Sequence, residues 1–358
     1  MGVDMSFDGL QWLGGPFPDT EEVTSSNLVT PTTTSQVMGS SEPVACFCSK
    51  HLDELLRYGH IEASTHRAYC YLLKHVEEFF PATGISDVEP DMMRGFVHFL
   101  ASKRLAPGTV RKTYNLLAMC VKQAHAEGLV TFEPSKSVCA PKNRCPPPNP
   151  LTSESLERML RNLESLDRTP CVIACYIALY TGMRRGEICA LRWEDIDLQG
   201  RTARVRRSIA IKDKGTYIKG TKTGNERVVP LVPELVPILK ERRWRMVDMC
   251  HDRGADFRST FYVIGDADGA YLSPYRVTRW WGMHSEEWHL YGTQNRKCAF
   301  HDLRHTFATI AVRRLDLKTA QSIMGHASAE MTMRYADTEL SQVQAASNTL
   351  GGAFSVGN

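Results

Sequence analysis

The sequence predicts a mainly α-helical protein that contains a small antiparallel β-sheet. Two long stretches, 45–140 and 151–358, carry apolar residues at helical spacing, and the second also contains short β-branched segments between glycine turns. Residues 141–150 hold five prolines, through which a helix cannot continue. We therefore predict a helical domain at 45–140, a semi-rigid linker, and a mixed α/β domain with a C-terminal tail at 151–358.

The chain opens with residues 1–44, which contain six acidic residues and no Lys or Arg. Because this segment is also rich in Ser, Thr, Gly and Pro, we predict that it is disordered, with docking through its few large apolar side chains as the alternative. The other 314 residues hold 43 basic against 34 acidic side chains. That excess is compatible with a polyanionic partner.

Composition also limits the location and chemistry of the protein. An apolar fraction of 42% and a charged fraction of 23% are typical of a soluble globular protein. No secretory signal and no apolar run of about 18 residues occur, so we expect a cytoplasmic protein without membrane contact. Eleven cysteines, an odd number, favour reduced thiols. Cys46, Cys48 and His51 lack a fourth ligand at a usual spacing, so we expect no metal there.

Four helices are predicted in the helical domain, near 46–57, at 64–80, at 92–100 and at 107–128. The domain holds 11 basic and 10 acidic residues, so its charge alone does not predict DNA binding. Basic side chains before and on the fourth helix are nevertheless candidate DNA contacts, although a solvated surface is the other interpretation. These candidates are Lys103, Arg104, Arg111 and Lys112.

The second domain begins with a helix after Thr152, followed by a helix that ends at Gly182 and a short helix at 184–191. The pattern then changes to segments that predict a three-stranded antiparallel sheet. These segments are TARVRRSIAI, GTYIKG and ERVVPL. Helices resume at Pro233, and 273–288 predicts a further one.

Near the C-terminus, His301, Arg304, His326 and Tyr335 occur within a short stretch of the sequence. The first two lie three residues apart and so occupy neighbouring positions on a predicted helix. The apolar residues that predict the buried face of that helix are Leu303, Phe307, Ile310 and Ala311. Two imidazoles, a guanidinium and a phenol suit chemistry on a phosphate, since cations can hold it and a hydroxyl can attack it.

The next helix is predicted at 317–324 and ends at Gly325, a residue suited to the left-handed position after a helix. His326 would follow that end directly. Upstream, Arg184 precedes a short helix with Glu187 one turn on, where the carboxylate can brace the guanidinium. Arg185 is the alternative functional arginine, but its side chain should point into solvent.

Four blocks of sequence occur in a fixed order, and together they resemble the tyrosine recombinase (integrase) family. The blocks are TGMRRGEICALRWEDID, TKTGNERVVPL, FHDLRHTFAT and IMGHASAEMTMRYAD. The similarity covers about 151–345, and 45–140 resembles the core-binding domain of the family. The resemblance implies a helical core-binding domain joined to a mixed α/β catalytic domain that cleaves and rejoins DNA through a 3′-phosphotyrosyl intermediate.

The resemblance also assigns roles to individual positions. The residues that match the catalytic set are Arg184, Lys222, His301, Arg304, His326 and Tyr335, with Glu187 as the supporting acid. The acidic segment at 1–44 departs from the small basic domain that some integrases use to bind arm-type DNA. Binding to a second, arm-type site is therefore not expected.

Elementary chemistry agrees with the roles that the resemblance implies. Attack on a phosphodiester builds negative charge on the non-bridging oxygens, which Arg184 and Arg304 can bind in a bidentate manner. Because these arginines hold the charge, we expect no metal. The phosphotyrosine retains the bond energy needed for rejoining, so we expect no nucleotide cofactor.

Proton transfers need further groups. The Tyr335 phenol requires a base, because an ordinary phenol with a pKa of about 10 is neutral at pH 7. His301 is the candidate base, His326 a donor to a phosphate oxygen, and Lys222 the candidate acid for the departing 5′-oxygen.

The expected partner is double-stranded DNA bound by a homotetramer, with or without an accessory directionality factor, at the nucleoid in the cytoplasm. Integration by a mobile element is the favoured outcome. A relaxing type IB-like topoisomerase and a DNA-binding regulator that has lost the reaction are the alternatives. After Tyr335, the apolar residues Leu340, Val343 and Leu350 could dock on a neighbouring subunit.

Two other motifs fail on inspection. His301 and His305 have the spacing of a zinc-binding helix, but no Glu follows the first His, which excludes a metalloprotease of that type. Gly220 is followed by Thr221 before Lys222, whereas a phosphate-binding loop needs Lys directly after Gly.

Overall fold

The structure, a computed structural model, describes residues 42–142, 146–211, 215–220, 226–326 and 328–335. In these residues helices dominate, and the strands form two small antiparallel sheets. The predicted fold class is therefore confirmed. Across the described ranges, no helix combines the length and the apolar character needed to cross a lipid bilayer.

The first helical stretch forms a bundle of four long helices and one short helix. These are α1 (Val44–Arg57), α2 (Ala63–Phe79), α3 (Pro90–Ser102), α4 (Pro107–Ala126) and α5 (Pro134–Ser137). The four long helices confirm the prediction. α2 begins after Glu62 rather than at Ser64, whose hydroxyl donates a hydrogen bond of 3.3 Å to the Glu62 carboxylate.

Aromatic residues fill the centre of this bundle. The rings of Phe79 and Phe80 lie 5.4 and 5.8 Å from the ring of Phe96, and Phe79 also contacts Phe99. Phe80 and Phe96 are almost completely buried. Each such side chain stabilises the bundle by about 1.5–3 kcal/mol relative to an exposed position. Pro81 then prevents α2 from continuing.

The second stretch contains eight helices among its described residues. These are α6 (Ser153–Ser165), α7 (Pro170–Thr181), α8 (Arg185–Ala190), α9 (Leu235–His251), α10 (Pro274–Glu287), α11 (Phe300–Arg314), α12 (Leu317–Met324) and α13 (Ala329–Met333). α7 is central, since nine of its twelve residues are buried. A helix that is apolar on all sides must be surrounded by other elements.

Five strands lie between α8 and α9. They are β1 (Ile196–Asp197), β2 (Thr202–Val205), β3 (Arg207–Ile211), β4 (Thr216–Gly220) and β5 (Arg227–Pro230). β2 pairs with β1 and β5 in a three-stranded antiparallel sheet, while β3 and β4 form a separate hairpin.

The predicted single sheet is therefore wrong in one respect, because TARVRRSIAI forms two strands that belong to different sheets. The break lies at Arg206. Both Arg206 and Arg207 reach the buried Asp195, at 3.4 and 2.7 Å. Successive side chains of one regular strand point to opposite faces, so two neighbours can share one partner only where the strand is interrupted.

α11 also differs from its prediction at one position. Leu303 and Ala311 are buried as expected, but Ile310 is 47% exposed. The buried residues of the helix also include Arg304 and Ala308, so its buried face extends to the side away from Ile310. The apolar spacing identified the helix correctly but included Ile310, which lies outside the buried face.

Two separate hydrophobic cores support the predicted division into domains, which we retain as a proposal. One runs from Val44 to Val138, and the other from Leu151 to Leu303. The described part of the proline-rich linker contains no helix or strand. Its Asn149 is nevertheless buried and fixed to the second core by a hydrogen bond of 3.0 Å to the Arg296 carbonyl.

Two polar contacts join the bundle to the β3–β4 hairpin. Lys219 Nζ lies 2.6 Å from the Glu62 carboxylate, and Arg67 donates a hydrogen bond of 3.2 Å to the Ile211 carbonyl. Both partners in the bundle lie at the start of α2. We call these two contacts the α2–hairpin bridge.

Candidate active site

The site begins where α7 ends. Gly182 adopts the left-handed conformation, with φ of 64°, which glycine tolerates best. A Cβ atom at Gly182 would come within 2.3 Å of Phe307 and 2.9 Å of Met324. The missing side chain therefore lets the end of α7 approach α11 and α12 closely, and it places Arg184 beside both helices.

Glu187 lies buried between two arginines. One Glu187 oxygen accepts hydrogen bonds from Arg184 Nη1 and Arg227 Nη1, each at 3.0 Å. The other accepts from the Arg184 backbone N–H at 2.8 Å and from Arg227 Nη2 at 2.6 Å. Burial raises the pKa of the Glu187 carboxyl, but the hydrogen bonds and charges of Arg227 and Arg184 outweigh burial and lower it. The carboxylate therefore stays ionised and fixes both guanidinium groups.

Three successive carbonyl groups at the C-terminal end of α12 each accept a hydrogen bond from a different arginine. The bonds run from Arg227 Nε to Ile323 (2.9 Å), from Arg304 Nη2 to Met324 (2.7 Å) and from Arg184 Nη2 to Gly325 (3.1 Å). The last carbonyls of a helix carry partial negative charge and lack partners within the helix. The arginines satisfy these carbonyls and are themselves held in place.

Arg304 is the most buried of these arginines, with 3% of its surface exposed. It also donates a hydrogen bond to the Gly182 carbonyl. Burial, followed by the nearby charge of Arg184, lowers the pKa of Arg304 to about 9. The guanidinium therefore remains charged at neutral pH.

His326 follows Gly325 directly, as predicted. Its Nδ1 atom lies 2.9 Å from the Thr332 hydroxyl, and its ring stacks on Tyr335 with a centroid distance of 6.1 Å. Burial, followed by the charges of Arg304 and nearby arginines, lowers the pKa of His326 to about 4. The imidazole is therefore neutral at pH 7.

His301 lies on the first turn of α11, at the wall of the adjoining cavity. Loss of water around the ring, followed by the charges of Arg304 and Arg184, lowers the pKa of His301 to about 4. The side chain is nevertheless exposed to solvent, which screens these charges. We therefore assign His301 a smaller influence on stability than the buried His326.

Tyr335 follows α13 and is 9% exposed. Its ring packs with Ala308 and Met324, and its hydroxyl lies 2.6 Å from Nδ1 of His305. Burial raises the pKa of Tyr335, and the charge of Arg304 only partly opposes this effect. The phenol is therefore neutral at pH 7.

A cavity of about 1190 Å³ adjoins these side chains. Both His301 and His326 line it. Five basic and two acidic side chains also contribute to its wall: Arg184, Arg185, Lys219, Arg227 and Lys318 against Glu187 and Glu226. This excess of positive charge suits an anionic ligand such as a phosphodiester.

The structure brings six of the seven predicted site residues together, from parts of the chain up to about 150 positions apart. They are Arg184, Glu187, His301, Arg304, His326 and Tyr335. Lys222 lies outside the described residues, as do Leu340, Val343 and Leu350 of the C-terminal tail. The chemical roles assigned to these residues stay predictions.

The four candidate DNA contacts of the bundle differ in the exposure of their side chains. Arg104 and Lys112 are exposed. Lys103 forms an ion pair with Glu78 and lies 4.8 Å from the centre of the Phe99 ring. Arg111 is half-buried, and its guanidinium donates a hydrogen bond to the Pro141 carbonyl. Contact of these four residues with DNA stays a prediction.

Arg185 also differs from its expected position. Its guanidinium donates a hydrogen bond to the Thr278 hydroxyl and lines the cavity instead of pointing into bulk solvent. α10, which supplies Thr278, packs beside α8 and covers that side of the helix. Helical spacing predicts the direction of the Arg185 side chain, but it does not predict that α10 lies on that side of α8.

Sequence reasoning missed two residues of the site, Arg227 and His305. The sequence pattern around Arg227 predicts only a strand. Its partner Glu187 lies 40 positions away, so no local spacing indicates that the two side chains pair. The sequence pattern around His305 indicates only the spacing of a zinc ligand. Its spacing of four from His301 does place both imidazoles on one face of α11, with ring centroids 4.8 Å apart.

The described residues contain no group of three or more His, Cys, Asp or Glu side chains arranged to hold a metal ion. All ten cysteines in this part of the chain are free thiols. Burial is the main reason that the pKa of several of them, including Cys175 and Cys189, lies above the usual value. Their thiols are therefore protonated and unreactive at neutral pH.

Two family profiles match the sequence. The profile of the phage integrase family matches residues 149–341, and the profile of the phage integrase SAM-like domain matches residues 44–140. The first match contains all seven predicted site residues. The second covers the helical bundle.

Named relatives agree with the profiles. The chain is 28% identical to tyrosine recombinase XerA of Pyrococcus furiosus, over 80% of this chain and 89% of that protein. It is 25% identical to a putative prophage phiRv2 integrase of Mycobacterium tuberculosis, over 77% and 70%. It is 26% identical to a tyrosine recombinase XerC-like protein of Caldanaerobacter subterraneus, over 69% and 66%. The matched part thus spans about two thirds of that last relative.

Solved structures share the fold. The Tn1549 transposon integrase in complex with a circular intermediate DNA has a TM-score of 0.68 at 19% identity, covering 86% of this chain and all of that one. A lambda integrase dimer bound to a core site has a TM-score of 0.62 at 20% identity, covering 81% and 94%. Since the family profile alone covers more than half of the sequence, the chain belongs to the phage integrase family.

Proposed function

We propose that this protein is a site-specific DNA recombinase, an integrase that cleaves and rejoins DNA through a 3′-phosphotyrosyl intermediate. The observation that carries the proposal is the convergence of a phenol, imidazoles and arginines beside one basic cavity. They come from α8, β5, α11 and the segments that follow α12 and α13. Membership of the phage integrase family supports the same conclusion.

In the proposed reaction, the Tyr335 oxygen attacks a backbone phosphorus and displaces the 5′-oxygen of the next nucleotide. Negative charge then grows on the non-bridging oxygens, beside Arg184 and Arg304. Donors already in position for such charge contribute about 3 kcal/mol each in other enzymes. Glu187 contributes by keeping the Arg184 guanidinium in a fixed orientation.

The proton transfers follow from the neutral state of the imidazoles. We propose His301 as the base for Tyr335 and His326 as a donor to a phosphate oxygen, with Lys222 as the acid for the leaving oxygen. The bond energy of the broken phosphodiester is kept in the phosphotyrosine, so rejoining requires no nucleotide cofactor.

The proposed substrate is double-stranded DNA, held between the bundle and the second core, with the linker allowing the two to separate. Strand exchange between two duplexes requires four cleavages, and we propose a homotetramer on DNA. A lambda integrase of the same fold is a tetramer bound to a Holliday junction. We further propose action at the nucleoid in the cytoplasm, with or without an accessory directionality factor, for integration of a mobile element.

Two other functions are alternatives on the same fold, a type IB-like topoisomerase and a DNA-binding regulator without the reaction. The regulator is disfavoured, because a binding protein has no need of a buried phenol that contacts two imidazoles. The topoisomerase would use the same chemistry on any DNA sequence.

A nicked duplex tests the proposal, because a cleaved strand end then diffuses away and traps the covalent adduct. The wild-type protein should form an adduct with duplexes carrying the DNA that flanks its gene, and Tyr335→Phe should form none. Tyr291→Phe, at a tyrosine that is 46% exposed, is the matched control and should retain activity. Equal reaction with scrambled DNA would favour the topoisomerase, and no adduct on any DNA would favour the regulator.

A further inference from the structure

The environment of the Tyr335 hydroxyl contains a residue to which the proposed mechanism assigns no role. The hydroxyl lies 2.6 Å from Nδ1 of His305, which is within hydrogen-bonding distance. His305 stands one turn after His301 on α11, and its ring lies 5.6 Å from the Tyr335 ring. The side chain that contacts the reacting oxygen is therefore His305 rather than His301, the candidate base.

The direction of this hydrogen bond follows from the charges around it. Burial, followed by the charges of His301 and Arg304, lowers the pKa of His305 to about 4, so its ring is neutral at pH 7. Its Nε2 atom faces the Asp302 carboxylate at 4.0 Å. A carboxylate favours the tautomer with the proton on Nε2, which leaves the lone pair of Nδ1 free. The neutral phenol is thus the donor and His305 the acceptor.

We propose that His305 is a positioning residue for Tyr335, holding the hydroxyl proton on one side so that the oxygen lone pairs are available to the incoming phosphorus. This inference rests on the proposed function, in which Tyr335 is the nucleophile. Packing alone does not fix a hydroxyl, because the O–H bond of a tyrosine can rotate within a buried pocket. The His305 acceptor fixes that rotation, while Ala308 and Met324 fix the ring.

In the resting site, the hydrogen bond between Tyr335 and His305 does not involve transfer of the proton. Burial raises the pKa of Tyr335, whereas burial, followed by the charges of His301 and Arg304, lowers the pKa of His305 to about 4. The proton therefore stays on the Tyr335 oxygen, which donates it in the hydrogen bond. The geometry and the charges together therefore favour positioning over proton removal.

Substitutions at His305 separate positioning from general structural support. The oxygen of an Asn side chain can occupy nearly the same place as Nδ1 and can accept the hydrogen bond, whereas Ala offers no acceptor. We expect His305→Ala to slow single-turnover adduct formation roughly tenfold, and His305→Asn to restore most of the loss. The affinity for DNA should change little in either variant. His125→Ala, which removes a bundle histidine bonded to the Val130 carbonyl, is the matched control.

A second measurement does not depend on activity. In protein labelled with 3-fluorotyrosine, the ¹⁹F resonance of Tyr335 can be assigned through its loss in Tyr335→Phe. Removal of the acceptor in His305→Ala should shift that resonance, His305→Asn should return it towards its original position, and His125→Ala should leave it unchanged. These spectra are recorded on the full-length protein without DNA.

The outcomes distinguish failure of the proposed recombinase function from failure of the positioning role of His305. A wild-type protein that forms no adduct would overturn the proposed function, and the positioning role with it, whatever the spectra show. Normal adduct formation by His305→Ala, or an unshifted Tyr335 resonance, would overturn the positioning role alone. A faster His305→Ala enzyme would also overturn it, because the contact would then restrain the nucleophile instead of presenting it.

Discussion

Glu187 connects the two arginines at the entrance of the site, and its replacement should therefore affect both stability and activity. In Glu187→Gln, Arg227 and Arg184 lose a buried charged partner, and the loss of one member of such a group costs about 3–5 kcal/mol. Chemical denaturation should show a loss of this size. The adduct rate should fall by about 10- to 100-fold, as is common when a supporting residue is removed.

Glu226→Gln provides the comparison for that variant. Glu226 lines the same cavity, but its side chain is 62% exposed and lies 3.8 Å from Arg206. Exposed pairs contribute about 0–1 kcal/mol, so this substitution should change stability by less than 1 kcal/mol. Similar losses in both variants would show that Glu187 has no special part in holding the arginines.

The site histidines should make stability sensitive to mild acid. The folded-state pKa of His326 is about 4, below its ordinary value of 6.5, so the unfolded chain takes up the proton first as the pH falls. The contribution of neutral His326 is thus complete above about pH 6.5 and is lost progressively towards pH 4. It amounts to up to about 3 kcal/mol, and His305 should act in the same direction.

Thermal unfolding between pH 7.5 and about pH 4.5 tests this expectation. The melting temperature of the wild type should fall over this range, and the fall should be shallower in His326→Gln. Substitution of the exposed His60 in the bundle should leave the slope unchanged. Parallel curves for all three proteins would contradict the assignment of the pH dependence to the site.

Individual residues of the site were predictable to the extent that their spacing is local. Arg184 with Glu187, and His301 with Arg304, lie three apart on helices, so each pair could be placed from the sequence. The pairing of Arg227 with Glu187 depends on how β5 lies against α8, and no local pattern records that arrangement. The contact between His305 and Tyr335 likewise joins two elements 30 positions apart.

At the scale of elements, the end of α7 determines whether the site can assemble. A methyl group at Gly182 would collide with Phe307 at 2.3 Å, and its φ of 64° would be strained for alanine. We expect Gly182→Ala to destabilise the protein by at least about 1–3 kcal/mol, since overpacking and backbone strain add. The adduct rate should fall with stability, because Arg184 follows two residues later.

Gly282→Ala is the matched control for that prediction. Gly282 lies inside α10, where an added Cβ would meet nothing within 4 Å. Alanine is favoured over glycine in a helix interior by about 1 kcal/mol, so this substitution should raise stability. Calorimetry on both variants measures the two opposite shifts, and a destabilised Gly282→Ala protein would contradict the structure of α10.

Elements were predictable where the chain itself carries the signal. The Thr152 hydroxyl caps the start of α6 by accepting a hydrogen bond from the Ser155 N–H, and Gly182 and Gly325 end α7 and α12 with positive φ. The division of TARVRRSIAI into two strands could not be predicted in this way. It depends on the buried Asp195, whose position is set by the packing of the whole second core.

At the scale of the whole molecule, the α2–hairpin bridge contains Lys219, a cationic side chain that also lines the cavity. Lys219 is paired with Glu62, and a DNA phosphate would have to replace that carboxylate. We expect Glu62→Gln to raise DNA affinity roughly 2- to 5-fold, since the pair is partly exposed and worth at most about 1 kcal/mol. One additional phosphate contact should also steepen the dependence of log K on log salt by about 0.9.

Glu77→Gln separates the bridge from general charge effects. Glu77 is exposed on the same helix, and its replacement changes the net charge by the same amount. Fluorescence anisotropy over a range of salt concentrations should show a steeper slope for Glu62→Gln only. Equal changes in both variants would mean that Lys219 does not exchange Glu62 for phosphate.

The three arginines bound to the carbonyl end of α12 have a consequence for the energetics of ligand capture. A free arginine side chain loses up to about 2 kcal/mol of rotamer entropy when it is immobilised. In this protein that loss has already occurred during folding, since Arg184, Arg227 and Arg304 are tethered before any phosphate arrives. An incoming phosphodiester thus binds donors whose side chains have little conformational entropy left to lose. More of the binding free energy is therefore available to distort the bond that is cleaved.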